Sequence, residues 1–127
     1  MVTVADVREY LDNLSDDRVA DPVVQRQIIL SEAKVTAEKS SLATQAAIDN
    51  AVLTVAGYAV YLAYTAEYER GVGVLPATMQ ANLQLYEAAA NYFLELAKRG
   101  TVALQPVLKQ IKTLWQEYRD GAYDINW

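Results

Sequence analysis

The sequence predicts an all-α fold: a single-domain helical bundle of about four to five helices around a long central helix, with an extended C-terminal tail. Three observations predict it. Apolar residues recur at spacings of three and four along most of the chain, which is the helical period. The middle of the chain is alanine-rich, and alanine loses least on entering a helix. Helix-starting and helix-stopping residues fall between the periodic stretches. With 127 residues, 53% of them apolar and 21% charged, the chain suits one globular domain that buries about two thirds of its unfolded surface. The expected division is a helical bundle over residues 1–119 and a tail over 120–127.

The first helix is predicted from Val4, Val7, Leu11 and Leu14, which form one apolar stripe. Thr3 is placed to cap it, and Asp6 suits the positive end of its dipole. Ser15, Asp16 and Asp17 break the pattern. Asp21-Pro22 restarts it, with aspartate as cap and proline at the first helical position. Val24, Ile28, Ser31 and Val35 then share a face of a helix ending near Glu38, and Ser40-Ser41 predicts a turn over residues 39–43.

The third helix, residues 44 to 69, is expected at the centre of the fold. Ala47, Ala51, Val55, Ala59 and Ala63 step by four into a ridge of small side chains, which permits close approach by another helix. Ile48, Val52, Leu62 and several tyrosines occupy the other sides, so most of its surface requires cover. The run from Arg70 to Pro76, RGVGVLP, is expected to end it. Met79, Leu83, Tyr86, Ala90, Phe93 and Ala97 follow as the seam of a fourth helix, with Gly100 beyond Lys98 and Arg99. A last helix is predicted from Pro106, using Leu104, Leu108, Ile111, Trp115 and Tyr118; residues 101–104 read equally as a brief extended piece. In the tail, Tyr123, Ile125 and Trp127 alternate with Asp124 and Asn126, the period of an extended segment.

The chain has neither histidine nor cysteine. Those side chains perform most acid-base, nucleophilic and transition-metal chemistry near neutral pH. No HExxH, CxxC, GxGxxG or GxxxxGK[ST] pattern occurs. Gly71-Val72-Gly73 lacks a third glycine and fits helix termination. Asp16, Asp17 and Asp21 lack the spacing of a calcium loop and fit a solvated turn. Glu67 and Glu69 lie two apart and point to different helix faces. The expectation is a protein that is not an enzyme and needs no cofactor or metal. Residues 50–66 are uncharged but include Asn50, Thr54, Gly57 and Thr65. A buried core helix is expected there, with no membrane involved. The amino terminus has no secretory-signal pattern.

Two segments invite a contact role. Tyr58, Tyr61, Tyr64 and Tyr68, at spacings of three, three and four, fit core packing with hydroxyls at the rim. That packing is the first reading; a subunit-contact strip is the second, because tyrosine offers large area with a polar handle. Tyr123, Ile125 and Trp127 in the tail fit docking on the bundle or on a neighbour, with a disordered tail as the third outcome. Net charge is −5, and the chain as a whole repels phosphate. Residues 1–50 carry nine acids against five bases, whereas residues 96–119 carry Lys98, Arg99, Lys109, Lys112 and Arg119 against Glu117. An acidic front and a basic back suit self-association of unlike surfaces, with Lys109 and Lys112 as contact residues.

Residues 3–11, TVADVREYL, before the acidic Asp16-Asp17, resemble the opening helix of the head–tail connector (adaptor, or head-completion) proteins of tailed phages. Residues 33–38, AKVTAE, are similar to the end of that family's second helix, and residues 51–58, AVLTVAGY, to its alanine-rich central helix. The resemblance is one of pattern and covers residues 2–100; residues 101–127 lie outside it. It implies a structural virion protein that forms a homo-oligomeric ring below the portal protein. The ring would extend the DNA channel and join head to tail, meeting the next head-completion or tail protein. DNA would pass through without specific binding. The implied location is the head–tail interface of the virion, with the host cytoplasm during assembly. The alternative from another class is a small dimeric helical bundle that binds a regulatory or toxin-type partner.

Overall fold

The computed structural model describes residues 1–12 and 18–100, and they form an all-α bundle. Four helices occur among them: α1 (Val4–Tyr10), α2 (Asp21–Glu38), α3 (Gln45–Val72) and α4 (Ala77–Arg99). Leu14, Asp16, Asp17, the helix expected from Pro106 and the tail over 120–127 lie outside the described residues.

α1 is only seven residues long, too short to be stable alone, so its ends and its packing must hold it. Thr3 caps it in a reciprocal arrangement. The Asp6 amide donates to Thr3 Oγ1 (3.2 Å), and the Thr3 amide donates to Asp6 Oδ2 (2.9 Å). These bonds hold the Asp6 carboxyl below its usual range, the Thr3 backbone bond contributing most. Val7 and Leu11 enter the core. Arg8 ties α1 to the start of α2 by donating to the Val19 carbonyl (2.8 Å) and to the Asp21 carboxylate.

That ion pair changes the expected start of α2. Ala20 is the N-cap, with no side-chain cap bond, and Asp21 is the first helical residue. The Asp21 carboxylate is drawn outward to Arg8 instead of back onto the first-turn amides. The α2 core face matches the expected stripe: Val24, Ile28, Ser31 and Val35 are its buried residues.

α3 begins where Thr44 Oγ1 accepts from the Ala47 amide (3.1 Å). It runs three residues beyond the expected end, through Arg70, Gly71 and Val72, and stops at Gly73. Gly73 adopts φ +91°, and its amide donates to the Glu69 carbonyl (2.7 Å). α4 follows after Pro76 and ends at Gly100 behind Lys98 and Arg99. The Ser40 amide supplies one of the missing donors there, bonding the Ala97 carbonyl (2.9 Å) and fastening the α2–α3 turn to the end of α4.

α3 is the central element, in contact with α1, α2 and α4. Val7, Leu11, Val24, Ile28, Val35, Ala56, Val60 and Ala97 belong to one core. The expected small-residue ridge is displaced from that core. Of its members only Ala51 is fully buried; Ala47, Val55, Ala59 and Ala63 are half-buried. The closely packed surface is instead Val52, Thr54, Ala56, Gly57, Val60, Tyr61 and Thr65. The helix on its own is long and apolar enough to cross a membrane. Its two buried threonines satisfy their hydroxyls locally, Thr54 on the Asn50 carbonyl (2.8 Å) and Thr65 on the Leu62 carbonyl (2.9 Å). Cover is incomplete at the far end, where Leu62, Ala66 and Val72 are exposed among the described residues.

A tyrosine cluster as candidate contact site

The expected four-tyrosine strip divides into two arrangements. Tyr61, Tyr64 and Tyr68 join Tyr10 from α1 and Tyr86 from α4 in a chain of five rings. Centroid separations along it are 5.3 Å (Tyr10–Tyr86), 4.9 Å (Tyr86–Tyr61), 5.9 Å (Tyr61–Tyr64) and 6.5 Å (Tyr64–Tyr68). All four pairs are tilted or edge-on, the geometry the ring quadrupole favours. Tyr58 stands apart and donates its hydroxyl to Glu87 Oε2 of α4 (2.9 Å).

The helix period explains the division. Tyr61, Tyr64 and Tyr68 follow the three-four spacing of one face, and Tyr58 begins the edge turned to Glu87. Burial then grades along the strip: Tyr61 is buried, whereas Tyr58, Tyr64 and Tyr68 are half-buried. Tyr10 fits because Gly57 lies beneath it. A Cβ at position 57 would sit 2.6 Å from two ring carbons of Tyr10.

Arg18 holds the outer part of the chain. Its Nη1 donates to the Tyr64 hydroxyl (2.7 Å), and its guanidinium carbon lies 5.9 Å from the ring centroid. That separation is at the limit for a cation–π contact, so the hydrogen bond is the stronger link. The separation of Asn82 from the Tyr61 hydroxyl, 3.5 Å, is too long for a firm bond.

The environment suppresses ionisation at three of these phenols. Burial raises the pKa of Tyr10. Burial, then the charge of Asp12 and the neighbouring phenols of Tyr10 and Tyr61, raises that of Tyr86. At Tyr58 the hydrogen bond to the Glu87 carboxylate is the main cause of the rise. The rings of Tyr64 and Tyr68, at the outer end of the chain, are half-buried and keep part of their surface exposed.

Reading the sequence alone missed Tyr10, Arg18 and Glu87 as members of this site. Tyr86 was expected only as a seam residue. A signal for it exists: Tyr61 precedes Gly73 by 12 residues and Tyr86 follows it by 13, so an antiparallel pair turning there aligns them. Nothing comparable marks Arg18, whose approach depends on the path of residues preceding α2. Of the other expected contact residues, Lys109, Lys112, Tyr123, Ile125 and Trp127 lie outside the described residues.

Two open grooves flank the amino terminus. One, of about 500 Å³, is lined by residues including Val2, Glu32, Lys39, Ile48, Asp49 and Val52. The other, of about 470 Å³, includes Asp6, Glu9, Tyr10 and Leu53. Among the described residues no group of three or more aspartates and glutamates is placed to hold a metal ion. Glu67 pairs with Arg70 (2.8 Å) at the exposed end of α3, and Asp21 is engaged by Arg8.

Comparison of the chain with models of protein families, with curated proteins and with solved structures finds no match.

Proposed function

We propose that this protein is a structural virion component: a head–tail connector, or adaptor, that forms a ring below the portal, extends the DNA channel and joins head to tail. The observation that carries the reading is the order of elements. A short capped helix, a second helix ending at Glu38, and a long alanine-rich helix follow one another. The three stretches that resemble the connector family fall within or against these elements. TVADVREYL comprises the cap, the body and the first residue beyond α1, AKVTAE closes α2, and AVLTVAGY is the best-packed part of α3.

The partners follow from the role. They are other copies of this chain, the portal protein, and the next head-completion or tail protein. Net charge of −5 suits a channel through which DNA slides, because few phosphate-neutralising contacts hold it back. On this reading the protein works by contact, requires no cofactor and catalyses nothing. It belongs at the head–tail interface after assembly in the host cytoplasm, away from membrane.

Disruption of the gene in the phage or prophage that encodes it tests the proposal. The expected result is accumulation of DNA-filled heads without tails, restored to whole particles by the gene supplied in trans. Normal yields of tailed particles after disruption would contradict it.

A further inference from the structure

A ring subunit needs two unlike surfaces that fit each other across a repeated, non-two-fold contact. Exposed leucines taken singly carry no message, since much of any protein surface is apolar. Here they align. On α2, Val23 (40% exposed), Leu30 (52%), Ala33 and Ala37 lie on one outer stripe, with the exposed Arg26 among them. On α4, Ala81, Leu85 (68% exposed), Ala88 and Tyr92 (37%) do the same at spacings of four, three and four. Both stripes lie opposite their helix's own core residues, Val24, Ile28 and Val35 on α2 and Ala90, Leu94 and Ala97 on α4. They therefore face away from α3.

We infer that the outer stripe of α2 on one copy packs against the outer stripe of α4 on the next copy. This rests on the ring reading and assigns its subunit contact. Charge selects the orientation. Lys34 pairs with Glu38 on α2 (3.7 Å), and Glu95 pairs with Arg99 on α4 (3.5 Å), both four residues apart and in opposite order. Lys34 and Arg99 remain about half exposed. Within its own copy Glu38 also pairs with Lys98 of α4 (3.2 Å), so Lys34 is the α2 charge left to select the orientation. A parallel pairing sets it beside Glu95, with Glu38 beside Arg99. An antiparallel pairing of the same segments sets Lys34 beside Arg99 and Glu38 beside Glu95, which repels. In the parallel register Leu30 falls between Ala88 and Tyr92, a large side chain entering the space over a small one.

Parallel is also the direction a ring requires. α2, α3 and α4 are joined by short turns, so α2 and α4 both run against α3 and in the same sense as each other. Rotation about a ring axis by a small angle preserves that sense between neighbours.

The absence of cysteine makes a clean test with the full chain. Leu30→Cys and Ala88→Cys carried on one chain are expected to give a ladder of disulfide-linked multimers on mild oxidation. Each substitution alone is expected to give none. Lys34→Glu is expected to abolish the ladder, and Glu95→Lys added to it to restore the ladder. Both cysteine positions are exposed, and circular dichroism checks that the fold is unchanged. Disulfide dimers from Ala88→Cys alone would mean two-fold pairing of α4, and would overturn this contact and the ring together. Multimers by sedimentation without a ladder would overturn the contact and leave the ring reading standing. Monomers whose position-88 thiol is shielded from a soluble thiol reagent would place residues 101–127 of the same copy on the α4 stripe and overturn the inference. Monomers with a reactive thiol there would overturn it too, with portal docking judged separately by the tail phenotype.

Discussion

At the scale of single residues, Gly57 and the phenols of the tyrosine cluster bear the most consequence. Gly57 sits mid-helix, where alanine would ordinarily gain about 1 kcal/mol. The added methyl would meet the Tyr10 ring at 2.6 Å, and that ring is braced by Tyr86, so it cannot swing away without breaking the chain of contacts. Overpacking of this kind costs about 1–3 kcal/mol and outweighs the propensity gain. Gly57→Ala is therefore expected to lower Tm, and adding Tyr10→Ala, which removes the obstacle, to make the methyl neutral or favourable in a double-mutant cycle.

Two phenols of that cluster, with the separate Tyr58, set an alkaline limit. Tyr10, Tyr58 and Tyr86 have pKa values raised in the folded state. Their contribution is whole below about pH 10, where an unfolded tyrosine is also neutral, and it is lost as pH climbs through the raised folded values. Tm measured against pH should fall above about pH 10, and the fall should be shallower in Tyr10→Phe with Tyr86→Phe. At the acid end the sign reverses for Asp6. Its lowered pKa supports α1 above the ordinary carboxyl range, and that support is lost as pH falls through the lowered value.

At the scale of elements, the turn between α3 and α4 separates two glycines with opposite roles. Gly71 lies inside α3 with open space around it, whereas Gly73 ends the helix in the left-handed region. Gly71→Ala should stabilise by about 0.5–1 kcal/mol, and Gly73→Ala should cost about 1 kcal/mol, read as opposite shifts in the urea midpoint.

This turn also shows how much the sequence revealed. Periodicity located all four helices and the whole α2 core face, because an apolar stripe answers directly to burial. The end of α3 was misjudged because three candidate breakers, Gly71, Gly73 and Pro76, stand within six residues, and local chemistry does not rank them. The helix runs on through the exposed Gly71 and Val72 and stops at the second, Gly73, the one that takes the left-handed conformation. The alanine ridge was misplaced for a related reason. Small residues cover several faces of α3, and the close contact is fixed by Tyr10 over Gly57, a pairing between distant parts of the chain. Asp21 was taken for a cap because Arg8, its actual partner, is thirteen residues away. The tyrosine cluster was half legible: spacing exposed its α3 members, and only the tertiary fold brings Tyr10, Tyr86 and Arg18 to them.

At the scale of the whole molecule, α3 is the pillar, and on the proposed reading the outer stripes of α2 and α4 are the working surfaces. The expected cross-links between positions 30 and 88 belong here, since they report how copies meet and not how one copy folds. On that reading, contact between unlike surfaces accounts for exposed apolar side chains that align on α2 and on α4. On the proposed reading the portal is the partner that makes such a ring useful. Electron microscopy of the purified full-length chain, mixed with the portal protein of the phage or prophage that encodes it, tests this most directly. The expected image is an added ring of density, coaxial with the portal and open along the channel. A stable two-fold dimer that leaves the portal bare would contradict it and favour a small regulatory bundle instead.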